Sequence, residues 1–191
     1  MPLLRKNDRA GANDYSVAFR LFAVDENRSE RMIGKIESDN DIEASVQVIR
    51  DSFATVASEF GLTSENSPSN SAFIDKDELL KMRENGNVMF GAFDCSRQVG
   101  FVSLKKASEK LYYLEKLAVL PDSRHLGIGK TLMDFSFEFV KGANGKTVSV
   151  GIIDENTRLK NWYIDYGFRE TEIKRFPHLP FTVCILEKNT V

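Results

Sequence analysis

A chain of 191 residues with 42% hydrophobic content and 14 phenylalanines has the size of one domain and enough bulk for a sizeable core. Its formal net charge of −2 offers no global attraction to nucleic acid or an anionic membrane, no apolar run approaches the ~20 residues of a membrane span, and early charges break any secretory signal. Cys95, Cys184, His125 and His178 form no ligand-spaced cluster, so neither a structural zinc site nor a disulfide framework is expected, and a reducing, cytoplasmic setting fits best.

In chain order, residues 1–14 are polar and read as a loosely held arm. Tyr15–Val24, with Val17, Phe19, Leu21 and Phe22, fits either a strand or a short helix. Asp25–Arg31 is a charged break, and a strand is expected from Met32 in Met-Ile-Gly-Lys-Ile-Glu. Ile42, Val46, Ile49, Phe53, Val56 and Phe60 recur at spacings of four and three, one face of an amphipathic helix. Asn40 with Glu43 reads as its capping box and Gly61 as its stop. Residues 62–74, rich in Ser, Asn and Pro, form a long loop. Asp75 with Glu78 caps a second helix, Lys76–Glu84, closed by Asn85-Gly86.

Strands follow. Val88–Phe93 and Val99–Lys105 flank the turn Asp94-Cys95-Ser96-Arg97 as a hairpin, and Leu111–Leu120 has the apolar content of a strand buried on both faces. A helix runs to about Val140 and stops at Lys141-Gly142. Thr147–Ile153 is a strand, Thr157–Tyr166 a helix stopped by Gly167, and Phe168–Arg175 and Phe181–Glu187 are two last strands. Cys184 reads as a small buried strand residue. Antiparallel hairpins followed by strand–helix–strand–helix–strand predict a mixed α/β sheet.

The most informative stretch is residues 117–133, Leu-Ala-Val-Leu-Pro-Asp-Ser-Arg-His-Leu-Gly-Ile-Gly-Lys-Thr-Leu-Met. A strand that ends in a glycine-bearing turn and opens a helix aims several N–H groups at one point, where the helix dipole adds positive charge. Such a turn suits a phosphate, and Gly127 and Gly129 let the anion approach the backbone. The glycines also fit a purely steric role in a tight turn. The dinucleotide fingerprint needs a third glycine where Leu132 stands, and the P-loop needs one where Arg124 stands.

The segment resembles the acyl-CoA loop of the GNAT superfamily of N-acetyltransferases, Arg/Gln-x-x-Gly-x-Gly/Ala, with Arg124, Gly127 and Gly129 at its defined positions. A second stretch, Asn156 through Phe168, is similar to that superfamily's Asn…Tyr-x-x-x-Gly-Phe signature. The resemblance covers roughly residues 31–188, leaving residues 1–31 as an N-terminal extension and 32–191 as the acetyltransferase domain. It implies a GNAT fold, a mixed and mostly antiparallel sheet splayed at the cofactor cleft with flanking helices. It also implies acetyl-CoA as cosubstrate, with no metal.

By the same resemblance, Leu117, Ala118 and Val119 offer backbone groups to the pantetheine arm, and Arg124, His125, Leu126, Gly127, Ile128, Gly129 and Lys130 hold the pyrophosphate. Lys130 and Thr131 add a charge and a hydroxyl, or are ordinary solvated helix-start residues. Asn156 is a helix cap that also contacts the cofactor arm. Tyr163 matches the family's tyrosine, whose phenol protonates the departing thiolate, although Leu159, Trp162, Tyr163 and Tyr166 also form a stripe suited to a core. Glu115 interrupts an apolar strand and is the candidate base for the incoming ammonium, with Lys116 expected on the opposite face.

Eight carboxylates within residues 41–80 stand where the family walls its acceptor and would draw a cationic one, although a solvated helix face accounts for most of them; Phe53, Phe60, Phe73, His178 and Phe181 are candidates to line that pocket. The expected activity is direct transfer of acetyl to a primary amine of a small molecule or peptide, by a monomer or homodimer. One rival is a non-catalytic acyl-CoA-binding sensor or interaction module of the same fold. A nucleotide-phosphate enzyme is the other, disfavoured by the incomplete P-loop spacing and the lack of an evident strand-end Asp for Mg²⁺.

Overall fold

The computed structural model describes the backbone of residues 20–25 and 28–190, with side chains from residue 31 onward. The expected arm, and Tyr15–Phe19 of the undecided segment, lie outside the described residues. Eight strands form one sheet: β1 (Arg20–Asp25), β2 (Arg28–Lys35), β3 (Val88–Asp94), β4 (Arg97–Lys106), β5 (Leu111–Val119), β6 (Thr147–Ile153), β7 (Arg169–Arg175) and β8 (Thr182–Asn189). Their order is β1-β2-β3-β4-β5-β6-β8-β7, and β5–β6 is the parallel pair in an otherwise antiparallel ladder. The helices are α1 (Asp39–Glu59), α2 (Lys76–Glu84), α3 (Ile128–Gly142) and α4 (Thr157–Asp165). None among the described residues is long and apolar enough to cross a membrane.

The sheet separates two helical layers. Phe90 lies opposite Val102 and packs edge-on against Phe135 and Phe139 of α3, at centroid distances of 4.8 and 5.3 Å. The neighbouring Ser103 points to the other face, where its hydroxyl accepts a hydrogen bond from Asn87, just beyond α2. Ser45 of α1 and Gln98 of β4 are joined by a buried hydrogen bond. Leu132 and Met133 of α3 and Ile42 and Ile49 of α1 are fully buried, so each layer drives an apolar stripe onto the sheet.

Four expectations needed correction. The charged break at Asp25–Arg31 is shorter than expected, because β2 starts at Arg28 and Arg31 buries its charge against Asp94 at 3.3 Å. Helix α1 is capped two residues early: the Ser38 hydroxyl accepts from the Asp41 N–H and the Asp41 carboxylate from the Ser38 N–H, both at 3.1 Å. Glu43, the expected partner, pairs with Lys76 instead. Strand β5 is not buried on both faces, since Tyr113 is 43% exposed and Glu115, Lys116 and Leu117 are half-buried. Lys116 does not oppose Glu115: it adopts φ +54° in a bulge and turns toward the α1/α2 layer. The limits of α2 and β6 fall as the sequence predicts.

Candidate active site

The sheet opens at its parallel pair. β5 and β6 are in register only at Leu111–Thr147, Tyr112–Val148 and Tyr113–Ser149, and the ladder ends there. Beyond that point β5 stays paired to β4 and β6 to β8, so the two strands part company. The bulge at Lys116 gives β5 one extra residue against β4 and bends it at the opening. Leu117, Ala118 and Val119 follow. Ala118 and Val119 pair with Phe101 and Gly100 on one edge, and their other edge faces the gap.

The turn after β5 leads into α3. His125 (φ +62°) and Gly127 (φ +80°) are left-handed, which is strained for histidine and free for glycine. Helices α1, α2 and α4 are capped by the side chains of Ser38, Asp75 and Asn156, whereas α3 has no side-chain cap and no acidic residue in its first turn. Thr131 is the first residue whose N–H closes onto the turn, at Gly127 O. The N–H groups of residues 125–130 meet no protein acceptor among the described residues. A side chain at Gly127 would meet nothing within 4 Å, and a Cβ on Gly129 would only touch Trp162 and Val119 at 3.7 Å. An anion therefore has both donors and room there.

Not every residue of the loop faces that opening with its side chain. Arg124 donates to Val119 O (3.2 Å), Ser52 O (2.9 Å) and Thr55 Oγ1 (3.0 Å), tying the loop to α1. Desolvation, and then the nearby Arg158, lower its pKa. Lys130 is paired with Asp134 one turn on (2.8 Å), and the Thr131 hydroxyl donates to Gly127 O (3.1 Å). Leu126 is 40% exposed, and its carbonyl accepts a long contact from Arg31 at 3.5 Å. Ile128 is buried and anchors the first turn.

Helix α4 begins at Asn156, 4% exposed, whose Oδ1 accepts from the Leu159 N–H at 3.1 Å. Tyr163 is 3% exposed and wedged edge-on between Trp162 (4.9 Å) and Phe168 (5.2 Å). Its hydroxyl has no hydrogen-bond partner among the described residues. Among the described residues no fully sealed side-chain oxygen or nitrogen lacks one, which puts the hydroxyl at an accessible edge of the packing. Burial raises the phenol pKa above its usual value, so the group holds its proton throughout the neutral range. Tyr166, by contrast, donates to Asp134 at 2.7 Å and is covered by Lys188 at 4.1 Å from its ring.

Glu115 lies across the sheet on the α1/α2 side, opposite Ser103. Asn87, 6% exposed, donates to Glu115 Oε2 (2.7 Å) and to Ser103 Oγ (2.9 Å), holding the carboxylate in place. Lys116 bonds to Glu78 and Ser71, both at 3.2 Å. Sequence reading missed Asn87; the only local hint was a polar residue just before an apolar strand. Phe53, Phe60, Phe73 and Phe181 gather with Ile153 around Ala57, Leu62 and Ala72. His178 does not join them and packs on Phe176.

Residues 85–170 match the model of the acetyltransferase (GNAT) domain. The fold is also that of the ribosomal-protein-S18-alanine N-acetyltransferase from Escherichia coli, with TM-score 0.67 and 15% identity over 84% of this chain and 94% of that one. It is similar to PaiA N-acetyltransferase from Thermoplasma acidophilum in complex with coenzyme A, with TM-score 0.65 and 21% identity over 83% and 98% of the two chains. An aminoglycoside 6'-N-acetyltransferase complexed with coenzyme A aligns with TM-score 0.63 and 17% identity over 83% and 97%. No curated protein matches this chain by sequence. The chain has the GNAT fold of these structures, and its residues 85–170 match the GNAT acetyltransferase domain.

Proposed function

We propose that this chain moves acetyl from acetyl-CoA directly onto a primary amine of a small molecule or peptide. The observation that carries the reading is the opening between β5 and β6 beside the start of α3, which has no side-chain cap. Pyrophosphate is held there by the N–H groups of residues 125–130, with Arg124 fixing the loop to α1 rather than gripping the anion. The pantetheine arm runs along the free edge of Leu117, Ala118 and Val119, with Asn156 beside it. Two similar structures contain coenzyme A, which supports a CoA-derived donor.

The chemistry divides between the two faces. On the α1/α2 face, Glu115 takes the proton of the ammonium, and the free amine attacks the thioester carbonyl. The C–N bond forms, the C–S bond breaks, and the thiolate takes the proton of Tyr163 on the α3/α4 face. The second proton that the nitrogen loses as the amide forms passes through water to restore the Tyr163 phenol. A phenol held protonated by burial is suited to that step. The test is release of free thiol from acetyl-CoA across a panel of amines. Amine-dependent release is expected; binding of acetyl-CoA without release would favour the non-catalytic CoA module.

A further inference from the structure

We propose that the amine acceptor carries an apolar chain or ring next to its amino group and is recognised by burial of that group rather than by charge. The inference rests on the acetyltransferase reading and names the substrate class of the same site.

Charge is the first consideration. Eight carboxylates lie in residues 41–80, and a cationic or polycationic acceptor is the simple expectation from them. The structure commits most of them elsewhere. Asp41 closes the cap of α1 and Asp75 caps α2. Glu43 pairs with Lys76, Glu59 with Arg158 and Glu78 with Lys116, while Asp51 accepts from Gln47. The two others, Glu65 and Asp77, are exposed, with Asp77 in the first turn of α2. With six of the eight committed, the negative charge left to draw a second ammonium beside the one that Glu115 receives is small.

Shape and polarity supply the rest. Phe73 ends a short 3₁₀ helix, Ser71–Phe73, and Ser71 of that helix touches Lys116, the neighbour of Glu115. Phe73 belongs to an apolar cluster with Phe53, Phe60, Ile153 and Phe181, all half-buried rather than sealed. Ile153 is the last residue of β6, the strand that leaves β5 at the gap. Partly exposed aromatic groups, joined through the Ser71–Phe73 turn to Lys116, the chain neighbour of Glu115, suit a monoamine with an apolar body.

The test is the specificity constant for thiol release from acetyl-CoA with linear monoamines from ethylamine to hexylamine, phenethylamine, and the diamines putrescine and cadaverine. Each added methylene that is buried should raise kcat/KM about threefold to fourfold, the equivalent of ~0.8 kcal/mol. Each diamine should fall at least tenfold below the monoamine of equal length. Phe181→Ala should lower kcat/KM for hexylamine more than for ethylamine, and Phe73→Leu offers the same comparison if Phe181→Ala fails to fold. A flat or falling series, or a preference for diamines, overturns this inference and leaves the acetyltransferase reading standing. No release with any amine overturns both.

Discussion

The two layers on either side of the sheet treat their polar groups in opposite ways. On the α1/α2 side, caps and ion pairs absorb nearly every carboxylate, down to Glu78 on Lys116 and Glu115 on Asn87. The α3/α4 side leaves groups open: among the described residues, the N–H groups of residues 125–130 lack acceptors, the edge of β5 past Tyr113 faces no strand, and the Tyr163 hydroxyl has no partner. Unsatisfied backbone is costly when water is excluded, so a fold keeps it only where solvent or a ligand completes it. On the proposed function, the contrast separates residues that hold the fold from those that would bind the donor.

The sharpest way to break the contrast is Tyr163→Phe. Because the hydroxyl bonds to none of the described residues, stability should change little, whereas kcat should fall about 10²–10⁴-fold at nearly constant affinity for acetyl-CoA. Pre-steady-state and steady-state rates check it; a loss under about threefold in a chemistry-limited rate assigns Tyr163 to packing alone. Gly129→Ala comes next. Its Cβ fits beside Trp162 and Val119, so thermal stability should hold or rise by up to about 1 kcal/mol. Acetyl-CoA affinity, measured by calorimetry, should drop about tenfold, or ~1.4 kcal/mol, as the methyl group keeps phosphate from the backbone. The smallest effect belongs to the committed side. Asp75→Ala removes the acceptor of the Glu78 N–H at 2.8 Å and should cost about 1 kcal/mol, a Tm drop of about 2–4 °C, with kcat and KM unchanged.

Much of this was legible in the chain because the signals are local. Asp75 with Glu78 and Asn85-Gly86 delimit α2, and the Arg124–Gly129 spacing marks the turn that α3 leaves uncapped. Ser38 escaped because Ser38-Asp39-Asn40-Asp41 offers several capping residues in a row, and only the backbone geometry chooses among them. Lys116 escaped because strand alternation fails where a residue turns to positive φ. The Asn87–Ser103–Glu115 bonds join three separate stretches, and Arg124 reaches Ser52, 72 positions away. No spacing rule reports contacts of that kind. The pairing of the acidic run in residues 41–80 was hidden for the same reason, since its partners Arg158 and Lys116 lie far along the chain.

The most direct test of the central claim, that the open α3 turn and the free edge of β5 form an acyl-CoA site, is thermal unfolding with added ligand. Acetyl-CoA at 100 times its Kd should stabilise the native protein by about 2.7 kcal/mol, and ATP at equal concentration should leave Tm where it was. No shift with millimolar acetyl-CoA, or an equal shift with ATP, would contradict it.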